Sequence, residues 1–300
     1  MPFEREEKRL ITEEYKFYSA KNDRVFKEIY LKEKNIDMLK ELLEKVLEVK
    51  INSIMLRPTE KLSGNVHISG KRLDALLDTN VGKIGIEVNS ENQSYIHPRN
   101  MSYLCNEYAS HTLVGDKYDE ETMIIQINLT YGLSKKEKLK REYSIQDKEG
   151  KKFVRNFKII EINMEYYLNL WYDFQKKGTN KELIEENQTL IMLGLDEKDL
   201  KELSKKYVRV KEFMSEIEEV NKNPEFRRYM TEEEDRRKIF NSMIKEANEK
   251  GLEKGLEKGL EQGIAERNVE IAKTMLSSNV SLEDISKYTG LTIDEIRKIK

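Results

Sequence analysis

Hydrophobic and polar positions alternate over two adjoining stretches in the first third of the chain. Arg72 to Asp78 alternates, a polar turn follows at Thr79-Asn80-Val81-Gly82, and Lys83 to Asn89 alternates again. Asn and Gly suit a tight turn, so the pattern predicts two strands joined as a hairpin. Period two then places Asp74 on a face with Arg72, Leu76 and Asp78, and Glu87 on a face with Lys83, Gly85 and Asn89.

Helical and strand-like patterns bracket this hairpin. Residues 1–22 read as a charged lead-in with scattered aromatics. A helix is predicted from Asp23, itself placed as N-cap, with Val25, Phe26, Ile29 and Tyr30 at helical spacing. Glu28 on this helix reads as an exposed acid paired with a lysine, or else as an acid that joins a site. A second helix, about 36–47, carries a broad apolar face through Met38, Leu39, Leu42, Leu43 and Val46. Lys50 to Leu56 reads as a strand stopped by Pro58, and residues 59–70 as a polar loop. After the hairpin a helix begins near Tyr95–Pro98 with a buried stripe of Met101, Leu104, Cys105, Tyr108, Ala109, Thr112 and Leu113. His97 and His111 lack a metal partner at suitable spacing and read as helix-surface residues. Thr122 to Leu129 is an interior strand. Tyr143–Ile145 and Phe153–Val154 flank a second turn, and Phe157 to Met164 is a further strand, paired with the 122–130 strand. From Glu165 the pattern is helical throughout, with breaks at Gly178, Gly194 and Pro224.

The tail repeats every four residues: Gly251, Gly255, Gly259 and Gly263 run beside Leu252, Leu256, Leu260 and Ile264. Four glycines cost a helix about 4 kcal/mol relative to alanine. The segment is therefore either flexible or packed closely against another helix, and the leucine stripe favours self-association as a helix pair. The end reads as helix–turn–helix, with Gly290 as C-cap and Thr292 to Glu295 as a capping box. It resembles a DNA-binding module, but its second helix carries just Arg297, Lys298 and Lys300 and lacks a third supporting helix, so it reads as a small oligomerisation or docking element.

Candidate chemistry centres on the hairpin. One carboxylate on each of two neighbouring apolar strands repels the other unless something offsets the charge. A divalent cation does so, and Mg²⁺ needs only one or two protein carboxylates. The alternative is that both acids lie on the solvated face of an edge hairpin.

At Asp74, Glu87 with Asn89 two residues on, and Arg99 with Tyr103 four apart, the sequence resembles the Rpn family of recombination-promoting nucleases, often labelled PD-(D/E)XK nuclease family transposases. The likeness extends to Asn22-Asp23-Arg24-Val25-Phe26-Lys27-Glu28 and to the closing Thr289-Gly290-Leu291. It implies an α/β, restriction-endonuclease-like core with a mixed sheet flanked by helices and a helical C-terminal extension. It also implies a metal-dependent DNA endonuclease that promotes recombination or belongs to a mobile element. Asp74 and Glu87 would be the metal-binding pair and Asn89 the third catalytic position, with Mg²⁺, or alternatively Mn²⁺, as the cofactor. The sequence departs from the family at Asn89, where Gln or Lys is usual. Asn hydrogen-bonds a water or phosphate but brings no positive charge. Hence the second reading: a catalytically inactive nuclease fold serving as a nucleic-acid-binding or oligomeric interaction protein.

Composition narrows the remaining choices. The chain of 300 residues is 38% hydrophobic and 37% charged, as expected for long solvated helices, and its net charge is −2. Any electrostatic attraction for DNA is therefore local. Residues 134–158 hold ten Lys or Arg against four acids. Lys151, Lys152 and Arg155 in this stretch are candidate phosphate contacts, or else part of a solvated surface. Arg99 and Tyr103, one helical turn apart, either face the acid pair or lie at the helix surface. Lys83, on the strand face of Glu87, is a candidate for the missing lysine. The single cysteine, Cys105, excludes an internal disulfide and reads as a buried thiol. With no membrane-length apolar run and no leader-like apolar stretch, a cytoplasmic location is expected. The organisation expected is a nuclease-like core over 1–165, a helical extension over 166–248, and an oligomerising tail over 249–300.

Overall fold

The computed structural model describes residues 16–58, 73–110 and 122–299. The first fifteen residues, the 59–70 loop, Arg72, His111, Thr112 and Leu113 lie outside them. Contacts divide the chain into two compact units, Met1–Phe226 and Arg227–Lys300.

The first unit is built on a mixed six-stranded sheet. Its strands are β1 (Ile54–Leu56), β2 (Ala75–Thr79), β3 (Gly82–Asn89), β4 (Ile124–Thr130), β5 (Lys140–Tyr143) and β6 (Phe157–Asn163), in the order β1-β2-β3-β4-β6-β5. The predicted hairpin is β2–β3, antiparallel, and Ala75 opposes Ile86. Its turn depends on Gly82, whose φ is +129° and where a Cβ would stand 2.3 Å from the Met123 carbonyl oxygen. β3–β4 and β4–β6 are parallel, the expected 122–130 pairing included. The second turn forms a short arm: Gln146 bridges Lys152, and the Phe153 amide donates to Ile145 O.

Alternation gives the sheet two unlike faces. One carries Ala75, Leu77, Ile84, Ile86, Val88, Ile125, Ile127, Leu129, Ile160 and Ile162, almost all of them buried. The other carries a polar patch in register. Glu87 opposes Asn128 and Asn128 opposes Glu161, while Asn89 opposes Thr130 and Thr130 opposes Asn163. All six of these polar side chains are buried. Burial of that kind is costly unless each group finds a partner, so this face must be bonded internally or committed to a ligand.

The helices that position the patch are α1 (Asp23–Tyr30), α2 (Ile36–Leu47) and α3 (Ile96–Ser110). Asn22, rather than Asp23, caps α1 by accepting from the Arg24 and Val25 amides. The buried stripe of α3 differs from the expected one. Leu104 is buried with Ile124 and Phe157, but Cys105 is exposed and Glu107 takes the buried position, paired to Arg57 at 3.0 Å. An ion pair thus replaces the apolar contact that the sequence pattern implied.

Helices α4 (Met164–Lys177), α5 (Lys181–Ile191), α6 (Glu197–Ser204) and α7 (Val208–Lys222) complete the unit. They close on the N-terminal helices: Arg209 of α7 pairs with Glu41 of α2, and Lys34 lies 2.7 Å from Glu216. The 166–222 helices therefore belong to the same compact unit as the sheet.

In the second unit most of α8 (Pro224–Ser277) is followed by α9 (Leu282–Thr289) and α10 (Ile293–Ile299). Ser281 caps α9, Gly290 ends it at φ +73°, and Thr292 and Glu295 exchange capping bonds. Contrary to the two-helix expectation, a third helix is present. Ala272 of α8 is buried with Ile285 and Ile296, and Met275 and Leu276 pack around them. No helix among the described residues is long and apolar enough to cross a membrane.

Candidate active site

Asp74 and Glu87 meet at the open end of the β2–β3 hairpin. The register brings Asp74 opposite Glu87, and the Asp74 amide donates both to Ile86 O (3.1 Å) and to Glu87 Oε1 (3.2 Å). Asp74 Oδ2 in turn accepts from the Val88 amide at 2.8 Å. Two buried carboxylates are thus held side by side, each accepting from a backbone amide across the hairpin. Gly85, one step along the same face, leaves room for this: a Cβ there would lie 3.0 Å from Leu73 and 3.2 Å from Gln126 Oε1.

Two cations answer the two acids. Lys27 of α1 places Nζ 2.7 Å from Asp74 Oδ1. Arg99 of α3 places Nη2 3.3 Å from Glu87 Oε2 and 2.8 Å from Asn89 Oδ1. Burial nevertheless dominates. It raises the Asp74 carboxyl above its ordinary range, and Lys27 offsets only part of that. Burial, reinforced by the Asp74 charge, pushes Glu87 up to about 8. Burial works against the charge of Lys27, but the Asp74 carboxylate outweighs it and raises the ammonium. The Tyr103 phenol is held above its usual range by burial and then by Glu87, and its ring lies 5.9 Å from the Arg99 guanidinium carbon.

Asn89 continues the line. Its amide nitrogen donates to Thr130 Oγ1 (3.1 Å), and its Oδ1 faces Arg99 and, at 3.4 Å, Asn100 Nδ2. Asn100 also donates to Asn128 Oδ1 at 3.1 Å, which accepts from Gln126 at 3.2 Å as well. The structure thus gathers Asp74, Glu87, Asn89, Arg99 and Tyr103. It does not bring Lys83 to them. That residue opposes Asp78 and stands four positions before Glu87, about 13 Å along the strand. Lys151, Lys152 and Arg155 lie in and after the arm that joins β5 to β6, and none of them is among the partners of the acid pair described above.

Sequence reasoning missed Lys27, Asn100, Asn128 and Glu161. Gln126, Asn128 and Glu161 were detectable as polar residues at alternate positions within apolar strands, which puts them on one face. Lys27 left no local signal, because its partner is 47 positions away. His97 is not a solitary surface histidine: its Nε2 lies 2.8 Å from Glu161 Oε1.

The sequence profile of the PD-(D/E)XK nuclease family transposases matches residues 20–247. The chain belongs to this family. The match takes in the sheet, the acid pair and the helices through the start of α8, and it sets the chain among nuclease- and transposase-related proteins with a restriction-endonuclease-like fold. No curated protein and no solved structure matches the chain.

The donor set suits the divalent metals that PD-(D/E)XK nucleases generally use. Two carboxylates and the Asn89 amide oxygen are hard oxygen donors. Each carboxylate oxygen already holds one hydrogen-bond or ion-pair partner and keeps a second lone pair. Among the described residues no group of three or more His, Cys, Asp or Glu is placed to hold a metal ion. Two carboxylates and one amide oxygen would leave positions for water or for phosphate oxygens of a substrate.

Proposed function

We propose that this protein is a metal-dependent DNA endonuclease. The observation that carries the reading is the convergence of Asp74 and Glu87, two adjoining acids in a buried place, where burial and then the Asp74 charge push Glu87 up to about 8. Asp74 and Glu87 would hold Mg²⁺, or Mn²⁺ in its place, with Asn89 Oδ1 directed at a bound water. When bound, such an ion polarises the scissile phosphate and lowers the pKa of an attacking water.

The remaining work falls to the chain's own groups. Lys27 supplies the ammonium that Asn89 does not, from a helix rather than from the strand; beside Asp74 it can contact the water or a non-bridging phosphate oxygen. Arg99 holds Asn89 and Glu87 in orientation, and its planar fork suits phosphate. Tyr103 closes the side of the site as a neutral phenol. Lys151, Lys152 and Arg155 stand as candidate backbone contacts away from the chemistry, and Lys83 is not expected to take part. Within the chain we assign catalysis to 1–165, support to 166–248 and self-association to 249–300. We also propose a recombination or mobile-element role, which the transposase members of the family support.

Purified protein should nick plasmid DNA when Mg²⁺ or Mn²⁺ is added, and Asp74→Ala should slow nicking at least about 10²-fold while DNA retention at low salt persists. Retention without any metal-dependent nicking would instead favour an inactive nuclease fold that binds nucleic acid, the reading motivated by Asn89.

A further inference from the structure

The polar face of the sheet continues past the acid pair to a second cluster. Glu161 on β6 is 3% exposed and lies in the row Glu87–Asn128–Glu161–Arg141. Two strand spacings, about 10 Å, separate it from Glu87. Its two oxygens face different elements: Oε1 meets His97 Nε2 at 2.8 Å, and Oε2 accepts from the Tyr143 hydroxyl at 3.2 Å. Tyr143 on β5 is further bonded to the Arg141 side chain, which also pairs with Glu137 at 3.0 Å.

The partners of this buried acid are outward-facing. The His97 side chain is 61% exposed, and Tyr143 is 41% exposed. Burial and then the Glu161 charge raise the Tyr143 phenol above its usual range, so it stays a hydrogen-bond donor. Glu161 fixes the imidazole through Nε2 and leaves Nδ1 to the surface. With Nε2–H committed to the carboxylate, Nδ1 can donate to an anion only when the ring carries a second proton. A carboxylate with almost no solvent exposure of its own, beneath exposed donors, is a strut for those donors.

We propose that His97, Tyr143 and Arg141, braced by Glu161, form a second phosphate-binding site on the polar face, taking a DNA phosphodiester about 10 Å from the acid pair. The proposal rests on DNA being the substrate, not on cleavage. The ionisable groups facing His97 are Glu161 directly, Tyr143 across Glu161, and Arg141 with Glu137 beyond.

The test is fluorescence anisotropy of a labelled 20-base-pair DNA duplex with the full-length protein in EDTA, where no cleavage occurs. Arg141→Gln should weaken binding about tenfold and lower the slope of log K against log salt by about one. His97→Gln and Glu161→Gln should each weaken binding several-fold, and unchanged thermal melts of the variants keep the result independent of folding. Equal affinity and slope in Arg141→Gln and His97→Gln would overturn the proposal, and so would a weakening of Arg141→Gln with an unchanged slope, which marks a structural role. Plasmid nicking by the parent separates the two readings. Absent nicking with binding that depends on Arg141 and His97 removes the nuclease and leaves this site, while nicking with binding independent of both does the reverse.

Discussion

At the scale of single residues the site is set by charge in a dry place. Glu87 has an ordinary value of 4.5 and is raised to about 8 in the fold. A folded value above the unfolded one means the native state binds the proton more tightly. This contribution to stability is complete below about pH 4.5, declines as pH rises, and is gone above about 8. In chelator, the urea midpoint of the parent should fall between pH 5 and 8.5, by a few kcal/mol in stability. Glu87→Gln should flatten the curve; an equally steep curve for that variant would place the titration elsewhere. Lys27 makes a second prediction. Lys27→Met leaves Asp74 buried beside Glu87 without its cation, so it should destabilise by about 1–3 kcal/mol at pH 8 and slow nicking at least about 10²-fold. Lys83→Ala should do neither. Comparing the two variants in one nicking assay decides which lysine serves the site.

At the scale of elements the long helix carries the clearest pattern. Leu252, Leu256 and Leu260 on α8 are each about two-thirds exposed, and a Cβ added at Gly251, Gly255, Gly259 or Gly263 would meet nothing within 4 Å. Both readings of the repeat assumed a penalty of about 1 kcal/mol per glycine, and the segment is nonetheless continuous helix. A four-residue repeat follows the i±4 ridge, inclined about −26° to the axis, and not the 3.5-residue seam of a left-handed coiled coil. Two such ridges cross right-handedly, at about −40 to −50°. Self-association through this stripe should therefore need the glycines as much as the leucines. Gly255→Val with Gly259→Val should return the protein to monomer mass in sedimentation equilibrium at micromolar concentration, with Leu256 and Leu260 untouched. An unchanged mass would rule out close packing along the stripe.

At the scale of the whole molecule the first compact unit ends at Phe226, well before the glycine repeat. A chain ending at residue 248 should keep the parent's melting temperature and metal-dependent nicking while losing any higher-order mass. Loss of nicking would tie catalysis to assembly. Much of this organisation was legible from pattern alone. Period two fixed β2, β3, β4 and β6 to within a few residues, and Asp74 and Glu87 are brought together by the turn chemistry of Gly82 and by register, both local properties. Capping signals located α9 and α10 for the same reason. The sequence could not declare which cation answers each acid, since Lys27 and Asp74, or His97 and Glu161, are joined only when distant segments pack. Nor could it reveal that Glu107, not Cys105, turns inward, because a helical stripe records polarity and an ion pair with Arg57 overrides it. Covalent order and side-chain periodicity determine elements and local pairs; the partners of buried charges, and hence the electrostatics of the site, belong to the tertiary fold.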